Sequence, residues 1–304
     1  AMKLKHLSQS QLGFMAVVIS SLLFSAKGIL IKKAFAWGIE PVVVMALRML
    51  FSLPLFAGLA LFEGLRVRRK NGYVLNKRDW VCLLGLGLLG YYLASLFDLI
   101  GLQYVSAGME KILLYTHPTF VILLSALLFR RKLDYRVLPA FALCYGGIVM
   151  AFWGDLHVDP DYGIYGALMI IICSIMFAVF LIGNGVIVHR VGPNRMAAYG
   201  MMISSAAVMV HFLWMYTPSS LMVPARGYLL AAVLAVFATF IPVNLLAYGL
   251  KLIGPNQVAI LGGIGPVATI FLGWMVLSEA PAPLQVLGMA LVVAGGIKLG
   301  MKNH

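Results

Sequence analysis

Residues 101–151 and 249–301 can be laid over each other without a gap until a final one-residue slip. Gly101-Leu102 falls on Gly249-Leu250, Ile112-Leu113 on Ile260-Leu261, Pro118 on Pro266, and Ile122 and Leu124 on Ile270 and Leu272. Ala142-Leu143 then meets Ala290-Leu291, and Gly146-Gly147-Ile148 meets Gly295-Gly296-Ile297. Both copies consist of apolar runs of membrane length, so the chain reads as a duplicated membrane unit. In a polytopic protein such a repeat is the usual trace of a transporter whose halves enclose a central binding site.

With 62% hydrophobic and only 11% charged residues, a single water-soluble core is excluded. A helix needs about 20 apolar residues to cross the hydrocarbon, and ten runs qualify or nearly do. They cover 11–31, 41–62, 80–102, 107–128, 136–153, 163–187, 196–216, 228–249, 255–277 and 283–300. The first run exceeds a signal peptide's apolar region and lacks a small-x-small cleavage site, so it reads as helix one. The fold expected is an all-α polytopic membrane protein of ten transmembrane helices. Residues 1–154 and 163–304 form its two repeats, joined by an acidic linker, 155–162, with hinge character as the alternative to a plain solvated connection. Five helices per copy reverse the sidedness of the second, which predicts an inverted-topology pair. Cys82, Cys144 and Cys173 all fall inside apolar spans, where small buried side chains are expected and no disulfide or metal framework is implied.

A net charge of +13 raises the question of nucleic acid, and its distribution answers it. With a cytoplasmic N-terminus, 17 Lys and Arg fall on the inner side, concentrated at 66–78, 130–136, 190–195 and 251, and at both ends of the chain. Only Lys32, Lys33 and Arg226 fall outside. The bias follows the positive-inside rule, places both termini in the cytoplasm and leaves no basic face with interleaved aromatics for nucleic acid. The lipid bilayer and a small-molecule substrate are the partners expected, with no cofactor.

Ionisable residues within spans carry the functional argument, because each costs at least ~2.5 kcal/mol near the bilayer centre unless paired or hydrated. Lys27, Arg48, Asp98, Glu110 and Lys111 all belong to the first half, and helix direction puts all five at one depth, toward the outer side. Helical spacing sets Gly87, Tyr91 and Ser95 on the stripe of Asp98. On the next helix Lys111, Tyr115 and Pro118 share one stripe, and Glu110 and His117 the adjoining one. The alternative is a purely structural ion network, with His117 a packing residue. The second half carries amides instead, Asn184, Asn244, Asn256 and Gln257, either an inner vestibule or interhelical glue. Gly262, Gly263 and Gly265 before Pro266, like Pro118 in the first copy, mark sites of a kink, a hinge or close packing.

The segment Gly101-Leu102-Gln103-Tyr104-Val105-Ser106-Ala107-Gly108, continuing through Thr116-His117-Pro118-Thr119-Phe120, resembles the third-to-fourth helix signature of EamA-type members of the drug/metabolite transporter superfamily. Ala46-Leu47-Arg48 is similar to that family's second-helix arginine pattern. Leu277-Ser278-Glu279-Ala280, with Pro283-Leu284-Gln285-Val286-Leu287-Gly288 and Gly295-Gly296, resembles the end of its second copy. The resemblance spans essentially the whole chain and implies a ten-helix inverted-repeat carrier, usually of a bacterial inner membrane, often exporting amino acids or related metabolites. Helices one, three, four, six, eight and nine would line its cavity. Arg130-Arg131-Lys132-Leu133 departs from the Gly-Glu-Arg-Leu-like end common in the first copy.

Charge type narrows the substrate. A carrier of cationic drugs wants an unpaired acid on helix one, and this helix offers Lys27. A zwitterion such as an amino acid can set its carboxylate on Lys27, Lys111 or Arg48 and its ammonium on Asp98 or Glu110, between Tyr91 and Tyr115. A carboxylated or phosphorylated anion is the second reading, since cations outnumber acids by one. Asp98 or Glu110 is also the candidate carrier of a coupling proton. A membrane enzyme using His117, Asp98 and Lys111 on a lipid-linked substrate is a remote third, without a nucleophile or metal spacing to support it.

Overall fold

A backbone crossing hydrocarbon must pair its N–H and C=O groups internally, and these runs do so as helices. The computed structural model describes residues 8–69, 73–128, 130, 138–155 and 159–301, and among them there is no strand. Helix α1 is Gln9–Ala36 and α2 is Pro41–Arg69. Helix α3 covers Lys77–Gly101 through a π-helical stretch at Gly87–Leu93. Helix α4 is two pieces, Ala107–Leu114 and His117–Leu128, followed by α5 (Leu138–Gly154), α6 (Gly163–Val191) and α7 (Pro193–Met215). The stretch Ala225–Leu261 holds α8 and the start of α9, divided at non-helical Gly254 (φ 77°, ψ 168°). Within α8 lies a second π stretch, Val236–Phe240; α9 resumes as Ile264–Leu277, and α10 is Pro283–Met301. Seven stretches are long and apolar enough to cross a membrane, and three shorter apolar helices, Leu138–Gly154, Ile264–Leu277 and Pro283–Lys298, complete the set. The chain is an all-α polytopic membrane protein. Lys3, Lys5, Lys70, the basic flank 131–136, the centre of the acidic linker (156–158) and Lys302 lie outside the described residues.

Local chemistry sets the helix ends. Ser8 and Gln11 form a reciprocal capping box on α1, Asn76 and Asp79 do the same for α3, and the Ser106 hydroxyl accepts the Met109 N–H at the head of α4. Helix α2 runs past its apolar stretch because Arg66, Arg68 and Arg69 occupy its last turn, where cations suit the helix dipole.

Displaced by 148 residues, the interval from Gly101 to Gly249, the irregularities of the two halves coincide. The π stretch 87–93 maps to 235–241, over its counterpart at Val236–Phe240, and the α4 break at 115–116 maps to 263–264, at the break in α9. Hydropathy predicts unbroken helices at both π stretches. Each π turn adds a residue and re-phases the helix. Gly87 does not line the cavity; it faces α7 together with Tyr91, and a Cβ on it would meet the Gly200 carbonyl at 3.0 Å. Helix pairing follows the same exchange: α1 packs on α8 and α9 as α6 packs on α3 and α4, while α2 pairs with α7 and α5 with α10.

Contacts at the two ends establish that successive helices alternate in direction. One end gathers the cations: Arg190 pairs with Asp79, the Asn194 amide donates to Glu63 (2.8 Å), and Arg195 donates to the Tyr73 carbonyl (2.7 Å). At the far end Lys32 pairs with Glu279 (3.6 Å), the Ser106 hydroxyl donates to Asp155 and accepts from Gln285, and the Asp159 N–H donates to the Tyr104 carbonyl (2.9 Å). Arg226 covers the Trp37 ring there, and the Tyr216 hydroxyl donates to Glu40. That bond pushes the Tyr216 phenol up to about 12. Its contribution to stability is complete below the ordinary phenol pKa and fades only as pH rises through the raised value, so the tie holds throughout the neutral range.

The α5–α10 seam is closed by small residues. A Cβ on Gly147 would lie 2.5 Å from the Gly288 carbonyl and 2.9 Å from Leu291 Cβ, and one on Gly154 would lie 2.8 Å from the Gln285 nitrogen. Such seams let helix backbones approach where lipid removes the hydrophobic drive for association. Cys144 is buried in the same seam; Cys144 and Cys173 are buried free thiols and Cys82 is half-buried. Gly146, the neighbour of Gly147, has open space around its missing Cβ. Gly147→Ala is therefore expected to destabilise the fold by about 1–3 kcal/mol through overpacking. Gly146→Ala should be neutral or stabilise by up to about 1 kcal/mol, since it restricts the unfolded chain. Thermal unfolding of both variants in one detergent checks the contrast.

Candidate functional site

Both mid-membrane breaks expose carbonyls that hydrocarbon cannot satisfy, and residues of the opposite half take part in closing each. At the α4 break the Leu114 carbonyl accepts from Ser174 of α6 (3.1 Å) and from His117 Nδ1 (2.8 Å), and the Thr116 hydroxyl bonds that of Ser174 (2.7 Å). At the α9 break the Ile260 carbonyl accepts the Tyr115 hydroxyl of α4 (2.7 Å), and Ser25 of α1 donates to the Gly265 carbonyl (3.1 Å). Glycine is required here, because a Cβ on Gly263 would meet the Tyr115 hydroxyl at 2.5 Å. His117 serves this carbonyl in the tautomer that carries its proton on Nδ1.

Between the breaks lies a cavity of about 150 Å³. Every helix except α5 and α10 contributes to its wall. The first half brings Lys27, Arg48, Tyr91, Ser95, Asp98, Lys111, Tyr115 and His117, all predicted from sequence. Opposite them stand Phe177, Met201, Thr239, Val243, Leu246 and Val258, with Gly262, Gly265 and Pro266 at the broken helix. The site is thus charged on one side and apolar on the other. Phe24, Tyr91, Tyr115 and Phe177 add aromatic surface, and His117 meets the Phe177 ring edge-on at 5.3 Å.

The charges are partly spent on one another. Lys27 Nζ lies 2.5 Å from Asp98 Oδ2, and Lys111 Nζ lies 2.7 Å from Glu110 Oε1. Glu110 itself is fully buried, with Oε2 against Gly28, and does not line the cavity. Arg48 is 3% exposed, and its Nε and Nη2 have no hydrogen-bond partner among the described residues. Asp98 Oδ1 and the Thr239 hydroxyl are likewise buried and unpartnered. Three cations against two carboxylates leave one positive charge, and the two ion pairs leave it on Arg48. A buried guanidinium without a partner is costly, so this arrangement is suited to receiving an anionic group.

None of the four predicted amides reaches the cavity. Asn184 is buried, the Asn244 amide donates to the Phe240 carbonyl of its own helix (2.7 Å), Gln257 is half-buried and Asn256 is exposed. Pro118 and Gly263 also stand behind the wall, at the two breaks. Thr239 went unpredicted, although the 148-residue offset lays it on Tyr91.

Residues 11–153 and again 164–299 match the EamA-like transporter family. The chain belongs to this family. It is similar to "Uncharacterized transporter YcbK" of Bacillus subtilis, with 34% identity over 281 residues, covering 91% of this chain and 88% of the relative. An "Uncharacterized transporter" of Archaeoglobus fulgidus is 23% identical over 262 residues, covering 84% and 87%. A solved crystal structure superposes with a TM-score of 0.68 at 18% identity, covering 94% of this chain and 95% of that one, a likeness of fold. As an EamA-family transporter, the protein carries its cavity where both halves of the family unit meet.

Removing one member of a buried ion pair strands the other, whereas removing both is often nearly neutral. Lys27→Met and Asp98→Leu should each lower stability by about 3 kcal/mol or more, and the double variant should recover most of the loss. Thermal unfolding of the three proteins beside the parent measures the coupling.

Proposed function

We propose that this EamA-family transporter is an alternating-access carrier of small zwitterionic metabolites, of which amino acids are the simplest. The observation that carries this reading is the unpartnered Arg48 guanidinium in a cavity that also holds the free Oδ1 of Asp98. Arg48 takes the carboxylate, Asp98 Oδ1 takes the ammonium, and the apolar wall of Phe177, Val243 and Leu246 receives the side chain. Lys27 and Lys111 hold the carboxylates in place and leave the substrate carboxylate to Arg48.

The exchange of helix pairings between halves supports an inverted repeat, with the breaks of α4 and α9 as hinges. Its cation-rich end is the cytoplasmic one on this reading, and the membrane a bacterial inner membrane. A coupling proton rides on Asp98 or Glu110; uptake into proteoliposomes that ignores an imposed pH gradient would exclude it. The protein is a carrier and not an enzyme, so labelled substrate crosses chemically unchanged.

The single excess positive charge favours a second reading, a carboxylated or phosphorylated anion. Binding to purified protein, read as thermal stabilisation across amino acids and organic anions, separates the two. Arg48→Met should weaken binding about 10- to 100-fold on either reading, the worth of a hydrogen bond to a charged group. The Lys27→Gln/Asp98→Asn double variant keeps the pocket's net charge. It should lose zwitterion binding, and unchanged affinity there would leave the anion reading standing.

A further inference from the structure

At the cation-rich end a second cavity, about 450 Å³, opens between the end of α2, the start of α7 and the end of α8. It is separate from the central site, sharing no lining residue with it. Three cations from three helices face it: Arg66, Arg195 and Lys251. Only one carboxylate, Glu63, stands among them, and its Oε1 is already held by the Asn194 amide at 2.8 Å and by Arg66 at 3.5 Å. Arg195 spends Nη1 on the Tyr73 carbonyl, and Lys251 makes no ion pair among the described residues. The cavity therefore carries two uncompensated positive charges.

The backbone adds to this field. Gly192, in a conformation open to glycine (φ 91°), turns the chain into the 23-residue helix α7, and no side chain caps that N-terminus. Pro193 at the first helical position has no N–H to offer. The amides of Asn194 and Arg195 follow it, at the positive pole of the helix, on residues that line the cavity. Several cations from different helices around an uncapped helix start match a group with several anionic oxygens spread in three dimensions.

The geometry points to a binding site for a phosphate group, held by Arg66, Arg195, Lys251 and the start of α7. An anionic phospholipid is the source that fits the surroundings. The cavity lies at the helix ends, where headgroups sit; Val67 and Val191 give it an apolar flank, and Tyr73 and Tyr248, each 39% exposed, stand at headgroup depth. A soluble phosphate ester carries the same chemistry, and the test distinguishes the two. This site is independent of the central cavity and of the substrate proposed for it.

The full-length protein in an uncharged detergent is titrated with short-chain phosphatidylglycerol, short-chain phosphatidylcholine and glycerol phosphate, with the thermal midpoint as readout. Phosphatidylglycerol should raise the midpoint saturably and phosphatidylcholine should not. Arg195→Gln/Lys251→Gln should weaken the apparent affinity about 25-fold, about fivefold for each cation near an anionic headgroup. Lys251→Gln alone, which removes an exposed side chain and no ion pair, should weaken it about fivefold and covers the case in which the double variant misfolds. Arg68→Gln removes an exposed cation from the same end but outside the cavity, and should leave affinity unchanged. Saturable stabilisation by glycerol phosphate, equally sensitive to Lys251→Gln, supports the phosphate site and assigns it to a soluble ester. The proposal is overturned if neither phosphatidylglycerol nor glycerol phosphate stabilises the protein, if phosphatidylcholine stabilises it as strongly as phosphatidylglycerol, or if Arg68→Gln weakens the effect as much as Lys251→Gln.

Discussion

Backbone carbonyls left open in the middle of a membrane have to be closed by something, and here the opposite half of the chain supplies part of the answer. Ser174 of α6 reaches the break in α4, while Tyr115 of α4 and Ser25 of α1 reach the break in α9. Neither half on its own has the full set of donors. The breaks stay in register because they are tied across the midplane, and the cavity exists because four shortened half-helices stop on either side of it. Packing, polar satisfaction and the position of the site are thus consequences of one requirement, that no amide or carbonyl be stranded in hydrocarbon.

Much of this was legible in residue order. The apolar runs located the helices to within seven residues at each end, and the span charges fall along one wall of the cavity, since a lysine or aspartate has few other reasons to be at such depth. The 148-residue offset held more than hydropathy did. It lays Gly90 on Ala238, Tyr91 on Thr239, Ser95 on Val243, Asp98 on Leu246, Leu114 on Gly262 and His117 on Gly265, and all twelve line the cavity. The apolar wall could have been read by transfer from the charged one. Polarity without helical phase is a weaker guide: Asn184, Asn244, Asn256 and Gln257 are polar, but none of them lines the cavity. The π turns were silent because they alter backbone pairing while leaving apolar content untouched. Which lysine holds which carboxylate, and hence that Arg48 is left over, depends on distances between helices that residue order does not contain.

Eight helices surround the cavity and two do not. Helices α5 and α10 join through a seam of glycines and alanine so tight that backbone meets backbone. Rigidity there complements looseness elsewhere. The π stretches and broken helices belong to α3, α4, α8 and α9, all of which line the cavity, and their hydrogen bonding has alternatives that a regular helix lacks. The paired helices α5 and α10 give the broken helices α4 and α9 a surface to pack against.

The two halves share a scaffold but not a charge pattern. The charged side chains at and behind the cavity wall come from the first half, and the 148-residue offset lays Asp98 on Leu246, Glu110 on Val258 and Lys111 on Ala259. Were the halves identical and related by a two-fold axis, swapping their conformations would return the same molecule, and the two end states of a carrier would have equal free energy. Placing every charge in one half removes that degeneracy. On the alternating-access reading, one end state solvates or pairs those charges better than the other, so in the absence of any gradient the transporter has a resting side. The direction in which it waits for substrate is written into the difference between its two halves.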